Sequence, residues 1–186
     1  NYSDPALLLG SEEDLILLMA SQRLLTNLNW RCMRSRYVCT KVTNEVFQRR
    51  RYYWKPESEY TFNTTKKEQG TALYQYQIVR EKGDYTKLNT TRITETGNYS
   101  EGLFPVYFAD AVCMISGMTE PLLNIGRPLC ALWIAESALA KPKPYCLFIF
   151  FAMCSSPMYN VYEYERVQCN ELGPPMEKND TSISTS

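Results

Sequence analysis

Histidine is missing from the 186 residues of this chain. Histidine is the most common general base in enzymes and the most common metal ligand in proteins. Its absence removes the usual catalytic triad and the usual zinc site, so that only carboxylates or a thiol could support catalysis. A free cysteine would have no imidazole to activate it. We therefore expect a binding protein that uses no metal and no cofactor, and not an enzyme.

The chain also has no net charge, because its 20 basic residues balance its 20 acidic residues. This balance predicts no general attraction to nucleic acid or to anionic membranes. The apolar run Tyr145–Cys154 has ten residues, which is too short to cross a bilayer, so no membrane insertion is expected. The basic run Arg49–Arg51 precedes the aromatic run Tyr52–Trp54. In a neutral chain this pattern favours a solvated hairpin tip over a site for nucleic acid or a sulfated polysaccharide.

Seven cysteines are spread along the chain without a single Cys-x-x-Cys pair, which disfavours a zinc site or a redox dithiol. Five Asn-x-Ser/Thr sequons accompany them. The predicted glycosylation sites are Asn1, Asn63, Asn89, Asn98 and Asn179. Together the cysteines and sequons predict a secreted, extracellular glycoprotein with disulfide bonds. The odd cysteine count leaves at least one thiol that is free or paired between molecules.

Short segments rich in Val, Ile, Thr and Tyr recur between residues 23 and 118 and predict an antiparallel all-β domain. The predicted strands are Leu24–Trp30, Tyr37–Val46, Tyr52–Trp54, Tyr60–Thr64, Thr71–Arg80, Tyr85–Thr90, Arg92–Thr96, Phe104–Ser116 and Cys130–Ser137. A capped helix is predicted to begin at Ser11 and to continue through Leu15 to Ala20, where it closes one end of a barrel. After the Lys141–Pro144 linker, the run Tyr145–Cys154 predicts a second helix that is covered on most faces.

An antiparallel sheet of eight strands closes readily into a barrel, and such a barrel holds one small ligand. We predict an all-β fold with an eight-stranded antiparallel barrel, a short N-terminal helix and a C-terminal helix packed on the outside. Residues 1–169 would form a single domain that ends in a closing strand or extended arm, and residues 170–186 a disordered tail. The alternative is a β-sandwich, which the late helix and the lack of an inter-sheet Cys–Trp–Cys pattern disfavour.

Four segments in the last third of the chain carry cysteines in a characteristic order, one of them with a Leu-Trp pair. They are Ala111–Ile115, Cys130–Ile134, Pro144–Phe148 and Val167–Cys169. Over roughly residues 37–169, their order and spacing resemble the tick salivary lipocalins, the family that includes the histamine-binding proteins. The resemblance implies a lipocalin barrel with the disulfides Cys39–Cys169 and Cys113–Cys146.

Cys32, Cys130 and Cys154 then remain unassigned. If Cys113 faces outward to the helix, alternation on the next strand leaves Cys130 on the outer face beneath the apolar helix. This favours a third bridge between Cys130 and Cys154, with Cys32–Cys154 as the alternative.

The same alternation predicts which side chains face the interior. With Cys113 outward, the alternate residues before and after it point inward, as do Trp133 and its alternate neighbours on the next strand. The predicted ligand-binding residues are Tyr74, Tyr76, Ile78, Phe104, Phe108, Asp110, Val112, Met114, Ala131 and Trp133. Such a bulky and apolar lining suits a hydrophobic ligand whose polar end is fixed by tyrosine hydroxyls.

The amine-binding members of the resembled family carry acids at two positions that are occupied here by Met114 and Ala131. The resemblance therefore implies a carrier for a sterol, fatty acid or eicosanoid, as in the family's Japanin-like group, that modulates host immune or inflammatory responses. Two alternatives stay open. One is a biogenic-amine scavenger, in which Asp110 supplies a charge. The other is a protein–protein module that binds a host immune-cell receptor or a complement component. In each case we expect a monomer.

Overall fold

The computed structural model of the protein describes residues 3–22, 31–56, 67–118 and 126–172. Eight strands within them form a closed antiparallel barrel. They are β1 (Leu15–Ser21), β2 (Arg31–Val42), β3 (Val46–Pro56), β4 (Lys67–Val79), β5 (Thr86–Thr94), β6 (Gly97–Ala109), β7 (Cys113–Gly117) and β8 (Cys130–Ala135). From β2 to β8 each strand pairs with the next, and β1 pairs with both β8 and β2. The predicted eight-stranded antiparallel barrel is confirmed.

The structure joins the predicted strands Tyr85–Thr90 and Arg92–Thr96 into one strand, and it divides one other predicted strand in two. β5 continues without a break through Thr91. The predicted strand Phe104–Ser116 is instead interrupted at Asp110, whose carboxylate accepts hydrogen bonds from the backbone amides of Val112 and Cys113 and so turns the chain into β7. The predicted strands Leu24–Trp30 and Tyr60–Thr64 lie outside the described residues.

The predicted helix from Ser11 to Ala20 is wrong. Residues Leu15–Ser21 form β1, and all seven are buried. A continuous apolar run does not distinguish a buried helix from a strand that is covered on both faces. Both faces of β1 are covered, because Leu17 packs in the barrel interior while Leu18 packs in the cluster beneath an outer helix.

The N-terminal helix lies earlier, as α1 (Ala6–Leu9), and it packs into the barrel interior. Arg49 of β3 holds it there and is fully buried, which corrects the predicted solvated hairpin tip. Its guanidinium donates to the carbonyls of Leu9, Ser11, Glu13 and Ser35 at 2.6 to 3.0 Å, and also to the Ser35 hydroxyl. Burial lowers the pKa of Arg49 to about 10, although Tyr76 and other neighbours oppose the shift.

Helix α2 (Pro144–Met153) packs on the outside of β7 and β8, as predicted for the C-terminal helix. The disulfides Cys113–Cys146 and Cys130–Cys154 fasten it to those two strands, and both pairings agree with the prediction. Among the described residues, no helix is long and apolar enough to span a membrane.

The segment after α2 differs from the predicted closing strand or arm. A short strand, β9 (Met158–Asn160), pairs with the end of β1 and leads into a helix, α3 (Val161–Leu172), that packs on β1 and β2. Within the described residues, β1 pairs with β2 through Leu15 and Ile16 alone, and β9 and α3 cover the neighbouring stretch of β1. The helix extends three residues into the predicted tail, and residues 173–186 lie outside the described part.

The predicted bridge Cys39–Cys169 is wrong, because Cys169 of α3 pairs with Cys32. Cys32 and Cys39 lie seven residues apart on β2, which is roughly 23 Å at about 3.3 Å per residue. Cys32 stands at the end of β2 that α3 reaches. Cys39 is the free cysteine, and its thiol lies 3.5 Å from the amide oxygen of Gln48.

Peptide mapping without reduction should therefore recover a Cys32–Cys169 cross-link. Alkylation of the denatured, unreduced protein should label Cys39 alone, and the reduced protein should label all seven cysteines as a control. A labelled Cys32, with Cys39 recovered in a cross-link to Cys169, would contradict the pairing.

Candidate ligand-binding site

The inside of the barrel contains a cavity of about 100 Å³. Large apolar side chains form most of its wall, and a smaller polar set interrupts them. The apolar residues are Leu9, Leu15, Tyr74, Tyr76, Leu88, Phe104, Met114 and Trp133. The polar residues are Ser35, Arg51, Thr90, Glu101 and Ser116. This composition is typical of a small-molecule site, which is mostly apolar with a few placed polar groups.

Seven of the ten predicted residues lie on the inside of the barrel. Five of them are in the cavity wall, namely Tyr74, Tyr76, Phe104, Met114 and Trp133. Ile78 and Ala131 belong to the same inner cluster but do not border the cavity. Along β8, Trp133 faces inward while Leu132 and Ile134 pack in the outer cluster, as the alternation predicts.

The other three predicted residues lie elsewhere. A bulge in β6 between Val106 and Phe108 reverses the alternation, so that Phe108 packs outside with its ring 5.9 Å from that of Tyr145. Asp110 closes the turn into β7 and accepts a hydrogen bond from the Tyr145 hydroxyl at 2.6 Å. Val112 stands in that turn, where its carbonyl accepts a bond from the Ala135 amide. The prediction assumed one uninterrupted strand, and the structure does not place these three residues in the cavity wall.

Arg51 is the principal wall residue that the prediction missed. Along β3, alternate residues point inward, and Phe47 and Tyr53 of that series belong to the inner cluster. The guanidinium carbon of Arg51 lies 4.5 Å from the ring centroid of Tyr74 and 5.4 Å from that of Trp133. Alternation from Phe47 to Tyr53 is the sequence signal that could have placed it inside.

Arg51 has hydrogen-bonding capacity to spare. A guanidinium carries five N–H donors, and the Nε group donates to the Tyr76 hydroxyl at 3.0 Å. Within the part of the chain that the structure describes, Arg51 makes no other hydrogen bond. Its remaining donors can therefore bind a ligand that enters the cavity.

Electrostatics keep Arg51 charged. Burial lowers its pKa, but Tyr76, Tyr74 and the carboxylate of Glu101 together outweigh this effect and raise the pKa. Burial raises the pKa of Tyr74, and Arg51 opposes that shift. The site therefore holds a cation beside two tyrosine rings and an indole ring, with Glu101 in the exposed part of the wall.

A second and wider cleft, of about 470 Å³, lies between β2, β3 and α3. Its charged residues already have partners. Glu136 pairs with Arg34 at 2.8 Å, and the buried Glu165 accepts a bond from the Cys32 amide at 2.7 Å. Burial raises the pKa of Glu165, while the Cys32 amide and Arg31 oppose the shift. The interior cavity with Arg51 is therefore the stronger candidate site.

Residues 10–169 match the family model described as tick histamine binding protein. The chain belongs to this family. Its members are lipocalins, which bind ligands and are not enzymes. A comparison with curated proteins finds no match.

The barrel of this tick lipocalin is similar to a solved structure of Japanin from Rhipicephalus appendiculatus bound to cholesterol. The two share 15% sequence identity with a TM-score of 0.60, over 83% of this chain and 94% of the Japanin chain. At this identity the likeness shows the fold alone. The ligand of the present lipocalin has to be argued from its own cavity.

Proposed function

We propose that this lipocalin is a secreted carrier whose barrel holds a lipid with a carboxylate headgroup, that is, a fatty acid or an eicosanoid. The observation that carries the proposal is Arg51, a cation in an aromatic cavity wall whose remaining N–H donors have no partner among the described residues. Three disulfides and five sequons support secretion. Asn89 and Asn98 are the sequons among the described residues, and we expect glycans at all five.

A guanidinium binds a carboxylate through two parallel N–H···O bonds, which are strong when water is excluded. Arg51 is preorganised for this, because Tyr74 and Trp133 pack around its head group and Tyr76 holds its Nε. The acyl chain of the ligand would then lie against the apolar wall. Burial of that chain contributes about 25 cal/mol per Å² of apolar surface.

Arg51 also disfavours the biogenic-amine alternative. A buried ammonium ion needs a carboxylate partner, and the cavity already contains one cation that occupies the aromatic cluster. Glu101 is the acid in the described wall, and it is exposed. Asp110 is engaged outside the cavity by Tyr145. An amine would therefore meet repulsion from Arg51 without a buried counter-charge.

A sterol is the second candidate. The fold likeness to cholesterol-bound Japanin favours it, and so do the hydroxyl groups of Tyr74 and Tyr76, which could bind a sterol hydroxyl. A neutral ligand would, however, offer no carboxylate to the remaining N–H donors of Arg51. By removing such lipids from the feeding site, the single domain of residues 1–169 would modulate host inflammation or immunity, and a host immune receptor remains an alternative partner.

The test compares ligands that differ in one feature. Delipidated protein is titrated with oleate, methyl oleate, cholesterol and histamine, and binding is followed by calorimetry and by tryptophan fluorescence. We expect oleate to bind at least about tenfold more tightly than its methyl ester, because the ester keeps the tail but loses the charge. Equal affinity for acid and ester would contradict the carboxylate proposal, and preferred binding of cholesterol or histamine would replace it with that ligand class.

A further inference from the structure

Helix α2 is apolar on every face but is not covered on every face. Its ten residues include no charged side chain. Cys146 and Phe150 are fully buried against the barrel, whereas Phe148 is 72% exposed, Phe151 48% and Tyr145 40%. Packing on the barrel accounts for the apolar residues on the buried side of the helix. It does not account for the aromatic residues on the other side.

These exposed residues form one continuous stripe. At 3.6 residues per turn, Tyr145, Phe148 and Ala152 follow one another along the same face, with Phe151 beside them. All four are exposed. We call this surface the aromatic stripe. It extends along most of the helix, as a contact surface would and as scattered apolar residues would not.

Exposed cations stand at both ends of the stripe. At the N-terminal end, Lys143 immediately precedes α2, and Lys141 lies two residues before Lys143. At the C-terminal end, Arg127 donates a hydrogen bond to the Phe151 carbonyl at 3.0 Å. The positive end of the helix dipole disfavours lysines at the N-terminus, so helix stability does not explain them. Among residues 126–158 the other charged residue is Glu136, which is paired with Arg34. Asp110 adds one negative charge beside the stripe, because it accepts the hydrogen bond of the Tyr145 hydroxyl at 2.6 Å. Three cations against this one acid still leave a local positive excess around α2, which the neutral charge of the whole chain conceals.

The stripe is too small for a stable protein partner on its own. A ten-residue helix is about 15 Å long and about 10 Å wide, which gives a footprint of roughly 150 Å². A stable protein–protein interface buries about 800 Å² on each partner. A bilayer needs no complementary surface, and it accepts aromatic side chains at the level of its headgroups while its anionic lipids attract nearby cations.

We propose that the aromatic stripe docks on the surface of an anionic phospholipid bilayer. Phe148 and Phe151 would enter the headgroup region, and Lys141, Lys143 and Arg127 would contact lipid phosphates. The barrel would remain outside the bilayer, held to α2 by the disulfides at Cys146 and Cys154. This proposal goes beyond the proposed function and does not depend on it.

The test is vesicle flotation at low salt, with phosphatidylcholine vesicles that contain phosphatidylserine and with vesicles of phosphatidylcholine alone. The unmodified protein should float with the anionic vesicles, and salt should weaken its binding. Phe148→Ser should lower the partition coefficient at least about tenfold, and the double variant Lys141→Gln/Lys143→Gln about tenfold. Val167→Ser is the matched control, because Val167 is 65% exposed on α3, and it should behave as the unmodified protein.

Three outcomes would overturn the proposal. The first is that the unmodified protein stays in solution with both kinds of vesicle. The second is that Phe148→Ser floats as well as the unmodified protein. The third is that size-exclusion chromatography shows a dimer that this variant dissociates, which would assign the stripe to a second copy of the chain. Oleate titration of Phe148→Ser separates this proposal from the carrier function. Its affinity should be unchanged, because Phe148 lies outside the barrel.

Discussion

Replacing Arg49 by methionine should lower the free energy of unfolding by about 3–5 kcal/mol, the largest stability effect we expect for a single side chain. Arg49 has no exposed surface, and its guanidinium donates to four backbone carbonyls. Methionine fills a similar volume without a donor, so the carbonyls of Leu9, Ser11, Glu13 and Ser35 would lose this partner. A buried polar group without a hydrogen bond costs about 1–3 kcal/mol.

Equilibrium unfolding in guanidinium chloride, followed by circular dichroism, measures this effect. Arg50→Met is the matched control, because Arg50 is the next residue on β3 and its side chain is only partly buried. We expect it to change stability by less than about 0.5 kcal/mol. Similar losses in the two variants would show that Arg49 acts only through charge and does not hold α1 in the barrel.

Replacing Arg51 by methionine should weaken oleate binding about 100-fold while leaving the affinity for methyl oleate nearly unchanged. A hydrogen bond to a charged group contributes about 1.5–3 kcal/mol, which corresponds to a factor of roughly 10 to 150. Methionine keeps most of the apolar contact with Tyr74 and Trp133, whose rings surround the guanidinium. The loss should therefore be confined to ligands that carry a carboxylate.

Calorimetric titration of both ligands gives the two affinities, and Arg51→Lys provides a graded comparison. Lysine retains the charge but cannot form the two parallel bonds of a guanidinium, so its affinity for oleate should lie between those of the other two proteins. Arg50→Met serves again as the control on the same strand. Unchanged oleate binding by Arg51→Met would remove the basis for the carboxylate proposal.

The barrel could be predicted from the sequence because strand composition, turn residues and cysteine order all agree on it. The strand β1 could not, since Leu15–Ala20 is apolar at every position and only the tertiary structure shows that both of its faces are covered. Where alternation is unbroken, five of the predicted residues do lie in the cavity wall. The prediction failed at Phe108, because a β-bulge inserts one residue and leaves no clear signal in a single sequence.

The inward orientation of Arg49 and Arg51 was missed for a different reason. A run of three arginines is usually solvated, so composition alone argues for exposure. Their environment decides otherwise, since Arg49 finds carbonyl acceptors and Arg51 finds aromatic rings on the inner face of β3. Similarly, Cys32 and Cys39 are equivalent in the sequence, and only the position of α3 at one end of β2 selects Cys32.

The short pairing between β1 and β2 has a consequence for where this protein can work. Among the described residues, Leu15 and Ile16 of β1 pair with β2. Next to this short pairing lie β9 and α3, and the Cys32–Cys169 disulfide ties α3 to β2. A reducing medium would break the Cys32–Cys169 disulfide and leave the backbone hydrogen bonds between the other strands in place. Closure of the barrel between β1 and β2 therefore depends on the redox potential of the surrounding fluid.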